Sequence, residues 1–307
     1  MGHQSSDSDV SHVLWLAFGR RVSAHPIPVE AGTSDRGLAY ALGGPGVPPR
    51  VVLRRYTPRQ QTQAYREFLV MSALHERRFP VPNVYYFGWS YQTRSVLLLL
   101  DYIDGRGFEG QPHAFFARVG DDFARLLAEL HQMHWPRLPD LPVTPFFYAL
   151  REITLMVRRL ETPQLQDILD WLLIHRERMY EIPHTLVHGN YMLHNVLADR
   201  TEIVAVHGWE TAVIADPRFD VGYTSAQLGA YDLELSKQFV AIYSEVAGTP
   251  PDLAYWEVFS ALRLLSRVAQ TLSTLPTLQR QRFLAQVGPA WNGLLLFVES
   301  RTDLKLL

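Results

Sequence analysis

The chain has 307 residues, a formal net charge of −2 and an ordinary globular composition, 47% hydrophobic and 20% charged, with no cysteine. Of its 29 Lys+Arg only Lys237 and Lys305 are lysine, so 29 − 2 = 27 are arginine and the first 236 residues contain no lysine. A cysteine nucleophile, a disulfide and a thiolate metal site are therefore ruled out, as are a Gly-Lys-Ser/Thr phosphate loop and a Schiff-base lysine over the first three-quarters of the chain; the near-neutral charge supplies no drive toward nucleic acid or an anionic membrane.

In chain order, the first hundred residues read mostly as strand. Val13–Phe18 and Ile27–Ala31 are short apolar or branched runs, Gly32–Gly37 is a polar turn, and Leu38–Leu42 and Arg50–Tyr56 are strands flanking the breaker-rich Gly43–Pro49. Gln60–Arg78 reads as a helix, because Ala64, Phe68, Met71 and Leu74 recur at 3–4 spacing; Glu67 falls on the same face, and Pro80 and Pro82 end it. Val84–Trp89 and Ser95–Ile103 are the last strands of a small lobe. The aliphatic run Val96–Leu100 stops at Asp101, far short of the ~20 apolar residues that span a bilayer, and the polar first residues lack the order of a signal peptide. A soluble cytoplasmic protein is expected.

Beyond Gly105 the pattern becomes helical, with amphipathic stretches at Asp121–His134, Phe146–Leu160 and Leu165–Met179. Short strands follow at Thr185–His188, Val196–Ala198 and Ile203–Val206, and helices resume from about Asp220 to Glu299. Strands with one helix followed by a helical region give an α+β fold of two lobes, 1–104 and 105–307.

The segment Leu186-Val187-His188-Gly189-Asn190-Tyr191-Met192-Leu193-His194-Asn195-Val196-Leu197 is followed by Val206-His207-Gly208-Trp209-Glu210, Ala215-Asp216-Pro217 and Phe219-Asp220. This series resembles the aminoglycoside phosphotransferase / choline kinase family, whose pattern is His-Gly-Asp, a short loop, Asn-Val-Leu, then Ile-Asp-Trp-Glu and Asp-Pro-x-x-Asp. Upstream, Val52-Leu53-Arg54 resembles the nucleotide-contacting strand, Arg66-Glu67-Phe68 the helix with its acidic partner, Leu98–Ile103 the hinge and Glu129-Leu130-His131 a helix of the large lobe. The resemblance implies a two-lobed protein-kinase-like fold and ATP as cofactor. It places Arg54, Glu67, Asp101 and Ile103 on the nucleotide side, and His188, Asp216 and Asp220 as supports of the loop; the turn Gly32–Gly37 with Ser34 either covers phosphates with its backbone N–H groups or is a plain hairpin turn, since it holds no G-x-G-x-x-G.

Two positions depart from the pattern. Phosphoryl transfer uses a residue that orients or deprotonates the attacking hydroxyl, and ligands that hold magnesium on the phosphates. The family's base position is Asn190, a non-basic amide, and its main metal-ligand position is Gly208, which has no side chain. Asn195, the second metal ligand of the pattern, is retained, so Mg2+ would be left with Asn195 and at most Glu210. Losing the base alone costs about 10²–10⁴-fold in rate. The expectation is a degenerate (pseudo)kinase that binds a nucleotide or small molecule, with a protein partner left open. Two alternatives remain: an active small-molecule kinase in which Glu210 takes the metal, and a metal-dependent hydrolase built on His188, His194 and His207, whose bland counterpart places His207 in the core and His194 in solvent. Arg54 either pairs with the inward-facing Glu67 or is a solvated strand residue. The acidic and basic residues of Gly229–Leu307 balance seven to seven, which gives a polycationic antibiotic no compositional support.

Overall fold

A computed structural model describes residues 4–28, 37–108, 110, 112–135, 141–180 and 182–307. Its contacts divide the chain into two compact units: one draws on the chain before Pro112 and on Leu193–Ala212, the other on most of what remains.

The first unit is built on a five-stranded antiparallel sheet of order β1-β2-β3-β5-β4, formed by β1 (Ser23–Ile27), β2 (Gly37–Gly43), β3 (Arg50–Tyr56), β4 (Val84–Ser90) and β5 (Ser95–Asp101). β5 is buried along nearly its whole length, which is why it reads as an unbroken aliphatic run rather than an alternating one. β3 alternates: Val51 and Leu53 point to one face, Arg54 and Tyr56 to the other.

Helix α1 (Gln4–Phe18) covers the face carrying Val51 and Leu53, with Val10, Val13 and Leu14 packed against Tyr40, Val51, Leu53, Leu97 and Leu99. This corrects the strand expected at Val13–Phe18. The apolar positions 10, 13, 14 and 17 have helical spacing, but a six-residue window shows too little of it, and the buried face only becomes evident against the sheet. Burying such a side chain contributes roughly 1.5–3 kcal/mol. Helix α2 (Gln61–Glu76) buries Ala64, Glu67, Val70, Met71 and Leu74. The same unit holds the hairpin β7 (Val196–Ala198) with β8 (Ile203–Val206) and the 3₁₀ turn Trp209–Thr211, which lies against α2.

The second unit is largely helical: α3 (Pro112–Gln132), α4 (Phe146–Leu160), α5 (Pro163–Ile174), α6 (Arg218–Tyr231), α7 (Leu233–Ala247), α8 (Leu253–Thr274) and α9 (Thr277–Glu299), with the strand pair β6 (Thr185–Val187) and β9 (Val213–Ala215). Its core gathers Phe146, Phe219, Tyr255, Trp256 and Phe259, the rings of Phe146 and Trp256 lying 4.2 Å apart. α6 and α8 approach closely at Gly222, where a Cβ would come 2.7 Å from the Trp256 backbone. α7 begins at Asp232, whose carboxylate accepts from Glu234 N at 2.8 Å, a cap worth about 1 kcal/mol. No helix among the described residues is long and apolar enough to cross a membrane. The expected α+β architecture, a sheet with helix followed by a mostly helical region, is the one observed.

Candidate active site

In the first unit, β3 places Arg54 and Tyr56 two residues apart on one face, and α2 sets Glu67 opposite them. Glu67 is 1% exposed and Arg54 7%. Arg54 Nη1 and Tyr56 Oη each donate to a different oxygen of the Glu67 carboxylate. Burial alone would weaken the Arg54 guanidinium's hold on its proton; the fields of Glu67, Tyr56 and Glu210 outweigh that and raise its pKa above the ordinary value. Burial, and then the neighbouring Glu67, push the Tyr56 hydroxyl up. Arg54 Nε is buried with no partner among the described residues. The pairing of a buried acid with the strand arginine follows the resemblance. Tyr56, the third member, was not singled out from sequence, although its i+2 spacing from Arg54 signals a shared face.

Arg66, one residue before Glu67, donates from Nη1 to Glu210 O at 3.2 Å and so ties α2 to the Trp209–Thr211 turn. Glu210 is thereby held by its backbone, half-buried, with its charge felt at Arg54. Asn195 and His207 come together through the backbone bond His207 N to Asn195 O, 2.9 Å. Both are buried, while His194 is exposed. Gly208 follows with φ 85° and ψ 34°, in the left-handed region. A Cβ built there would meet the Asn195 side chain at 2.9–3.0 Å, so the Asn195 amide crowds the space a side chain at 208 would enter.

A magnesium ion asks for several oxygen ligands, with carboxylates prominent. The Asn195 amide lies against Gly208 and Glu210 follows two residues later, while among the described residues no group of three or more His, Asp or Glu could hold a metal ion. One amide and at most one carboxylate would leave a magnesium ion dependent on phosphate and water oxygens, and the described residues give no cluster for the histidine-based alternative.

At the end of β5, Asp101 accepts from Tyr85 Oη at 2.5 Å and from Asn83 N at 3.3 Å. Burial, followed by the bond to Asp101, pushes the Tyr85 hydroxyl up to about 12. Ile103 lies two residues past the strand. Arg50 pairs with Asp104 and stacks over the Tyr102 ring at 4.6 Å, contacts with no warning in the sequence beyond the arginine content. Ser34 and most of the Gly32–Gly37 turn lie outside the described residues.

In the second unit, the loop after β6 is held from α6. The Asp220 carboxylate accepts from His188 N at 2.6 Å and from Gly189 N at 2.8 Å, and stands 3.4 Å from His131 Nε2. Thr224 Oγ1 donates to Tyr191 O at 2.7 Å. His188 is fully buried, and its Nδ1 accepts from Asn190 N at 3.2 Å, which sets the backbone at position 190. Tyr191 Oη donates to Phe123 O at 2.7 Å and its ring stacks on Phe123 at 4.5 Å. The N-cap position of α6 is Pro217; Asp216, one residue earlier, accepts from Arg218 N at 2.9 Å and from the Arg218 guanidinium at 2.7–3.1 Å. Arg218 is fully buried, also donating to Tyr180 O and Pro251 O and lying 4.6 Å over the Trp256 ring. Sequence reading missed Arg218, since a buried arginine inside Asp-Pro-Arg-Phe-Asp is indistinguishable from a surface one until its partners are seen.

Solved structures similar to this chain share its fold. A candidate aminoglycoside phosphotransferase from Ralstonia eutropha JMP134 is 18% identical with a TM-score of 0.70, covering 96% of this chain and 98% of its own. A thermostable mutant of aminoglycoside phosphotransferase APH(4)-Ia, in ternary complex with AMP-PNP and hygromycin B, is 17% identical with a TM-score of 0.63, covering 95% and 98%. A curated mouse (Mus musculus) protein, acyl-CoA dehydrogenase family member 10, is 34% identical over 177 residues, 52% of this chain but 16% of that protein's own length. The profile of APH, the phosphotransferase enzyme family, matches residues 26–262, well over half of the sequence, and the chain belongs to that family.

Proposed function

We propose that the protein binds ATP or a related small molecule and that phosphoryl transfer is largely lost in it. The observation that carries this reading is position 208. Position 208 is a glycine in the left-handed region, so the carboxylate that would carry a magnesium ion is absent, and a side chain placed there would have to displace the Asn195 amide. Asn190 adds a second loss, because an amide has no basicity with which to take a hydroxyl proton. Nucleotide binding is supported by the buried Arg54–Glu67 pair with its unpartnered Nε, and by the AMP-PNP bound in the APH(4)-Ia complex.

Isothermal titration with ATP, in magnesium and then in EDTA, tests the reading. ATP binding that changes little on metal removal is expected, together with turnover at least about 10²-fold below ordinary kinase rates of about 1–100 s⁻¹. Metal-dependent turnover at such rates would sink it. Gly208→Asp alone is expected to destabilise the first unit by about 1–3 kcal/mol, the cost of a side chain in the left-handed region, and to restore no turnover. Gly208→Asp with Asn190→Asp is expected to raise turnover by about 10²-fold or more over either single variant, measured as ADP release with a panel of hydroxylated acceptors.

A further inference from the structure

Two arginines on α8 stand one turn apart beside the loop that carries Asn190. Arg267 Nη1 donates to Tyr223 Oη at 3.2 Å, and the Arg263 guanidinium lies 5.4 Å over the Tyr223 ring. Tyr223 in turn points its hydroxyl at Met192 Sδ, 3.9 Å away, two residues after Asn190. α6 therefore presents three residues to this loop: Asp220 grips His188 and Gly189, Thr224 grips Tyr191, and Tyr223 joins Met192 to the arginine pair.

Like charges at i and i+4 on a helix repel, and a folded chain keeps such a pair at a cost unless something neutralises it. The carboxylates whose fields reach Arg263 are Asp220 and Glu152, and neither forms an ion pair with Arg263 or Arg267 among the described residues. Asp220 is already committed to two backbone N–H groups. Arg263 is half-buried and Arg267 exposed; burial, and then Arg267, lower the affinity of Arg263 for its proton, against the opposing fields of Tyr223, Asp220 and Glu152. One guanidinium over the Tyr223 ring and one at its hydroxyl carry N–H forks of the kind that match carboxylate and phosphate oxygens.

We propose that Arg263 and Arg267 bind an oxyanion of the substrate, a carboxylate or a phosphate, beside the loop of Asn190, so that the ligand of this protein is an anionic hydroxylated small molecule and not a polycationic one. The assignment of this loop to the substrate side rests on the function proposed above. Charge explains the specificity. A polyamine brought to two arginines that form no ion pair among the described residues is repelled, whereas an acid offsets their mutual repulsion.

The test titrates the full chain at low ionic strength with gluconate, its neutral counterpart sorbitol, inorganic phosphate and the polyamine spermidine. Saturable binding of gluconate, weakened at least 10-fold in Arg263→Gln/Arg267→Gln, is expected and marks a carboxylate site. Saturable binding of phosphate without gluconate, lost in the same variant, supports the proposal with a phosphate as the anion. Arg267→Gln alone, at an exposed position, serves should the double variant fold poorly, and is expected to lose several-fold. Binding of neither anion, equal binding in wild type and variants, or tighter binding of spermidine or sorbitol would overturn it. ATP titrated into wild type and Arg54→Met reports separately on the function proposed above: absent ATP binding with intact gluconate binding ends the nucleotide reading and leaves the anion site, and the reverse ends only the anion site.

Discussion

Glu67→Ala is expected to destabilise the first unit by about 3–5 kcal/mol, the range for removing one partner of a buried ion pair. The carboxylate is nearly inaccessible and is the shared acceptor of Arg54 Nη1 and Tyr56 Oη. Its loss strands a desolvated cation and a buried hydroxyl together, and each unsatisfied group carries its own penalty. Urea unfolding followed by the hydrogen-exchange protection of β3 and β5 measures the effect. Glu67→Gln keeps the acceptor oxygen but not the charge and is expected to fall between wild type and alanine. The triple change Arg54→Met, Tyr56→Phe, Glu67→Leu is expected to recover most of the stability, because apolar groups of similar volume incur no desolvation cost. It is also expected to abolish ATP binding, and that contrast separates holding the sheet from holding a nucleotide. A loss below about 1 kcal/mol for Glu67→Ala, in the range of exposed pairs, would mean that the pair is solvated in the working protein.

Asp220→Ala is expected to cost about 3–6 kcal/mol, from two charge-assisted hydrogen bonds worth roughly 1.5–3 kcal/mol each. Both donors are backbone N–H groups of the loop, His188 and Gly189, and Asp220 is fully buried. The amides of residues 188 and 189 should lose most of their exchange protection, whereas those in the middle of α8 should change little beyond the global shift. Asp220→Asn retains one acceptor but turns an NH2 toward the second donor, so it should recover less than half of the loss. Unchanged protection at residues 188 and 189 in Asp220→Ala would show that His188 and Thr224 hold the loop without it.

Most elements were legible because their signals are local. The helices of the second unit carry apolar residues at 3–4 spacing, and α4 runs over Phe146–Leu160 as its periodicity predicts. The loop with Asn190 and the turn with Gly208 were legible as a pattern and as departures from one. α1 was not, since its apolar stripe is short and gains its meaning from the sheet face it covers. β9 was not, since three residues between a turn and an Asp-Pro bend hold no usable alternation. Tyr56 and Arg218 were passed over because a polar residue's partners lie far along the chain: Glu67 for the first, Tyr180 and Pro251 for the second.

Residue chemistry and local order were enough to establish the α+β architecture, the family resemblance, the absence of lysine from β3, and the amide and glycine at positions 190 and 208. Each of these is a property of a side chain or of neighbours within one turn or strand. Folding settled what depends on segments meeting across long stretches of chain. It packed the Asn195 amide against the empty side of Gly208, so that a side chain there would have to displace it. It drew Leu193–Ala212 into the unit of the N-terminal sheet. It also brought Arg263 and Arg267 to Tyr223, 44 residues apart for the hydrogen-bonded pair, where a balance of seven acids and seven bases had suggested no preference of charge at all. Composition averages charge over a segment, whereas a ligand meets only the few groups that the fold leaves uncompensated beside it.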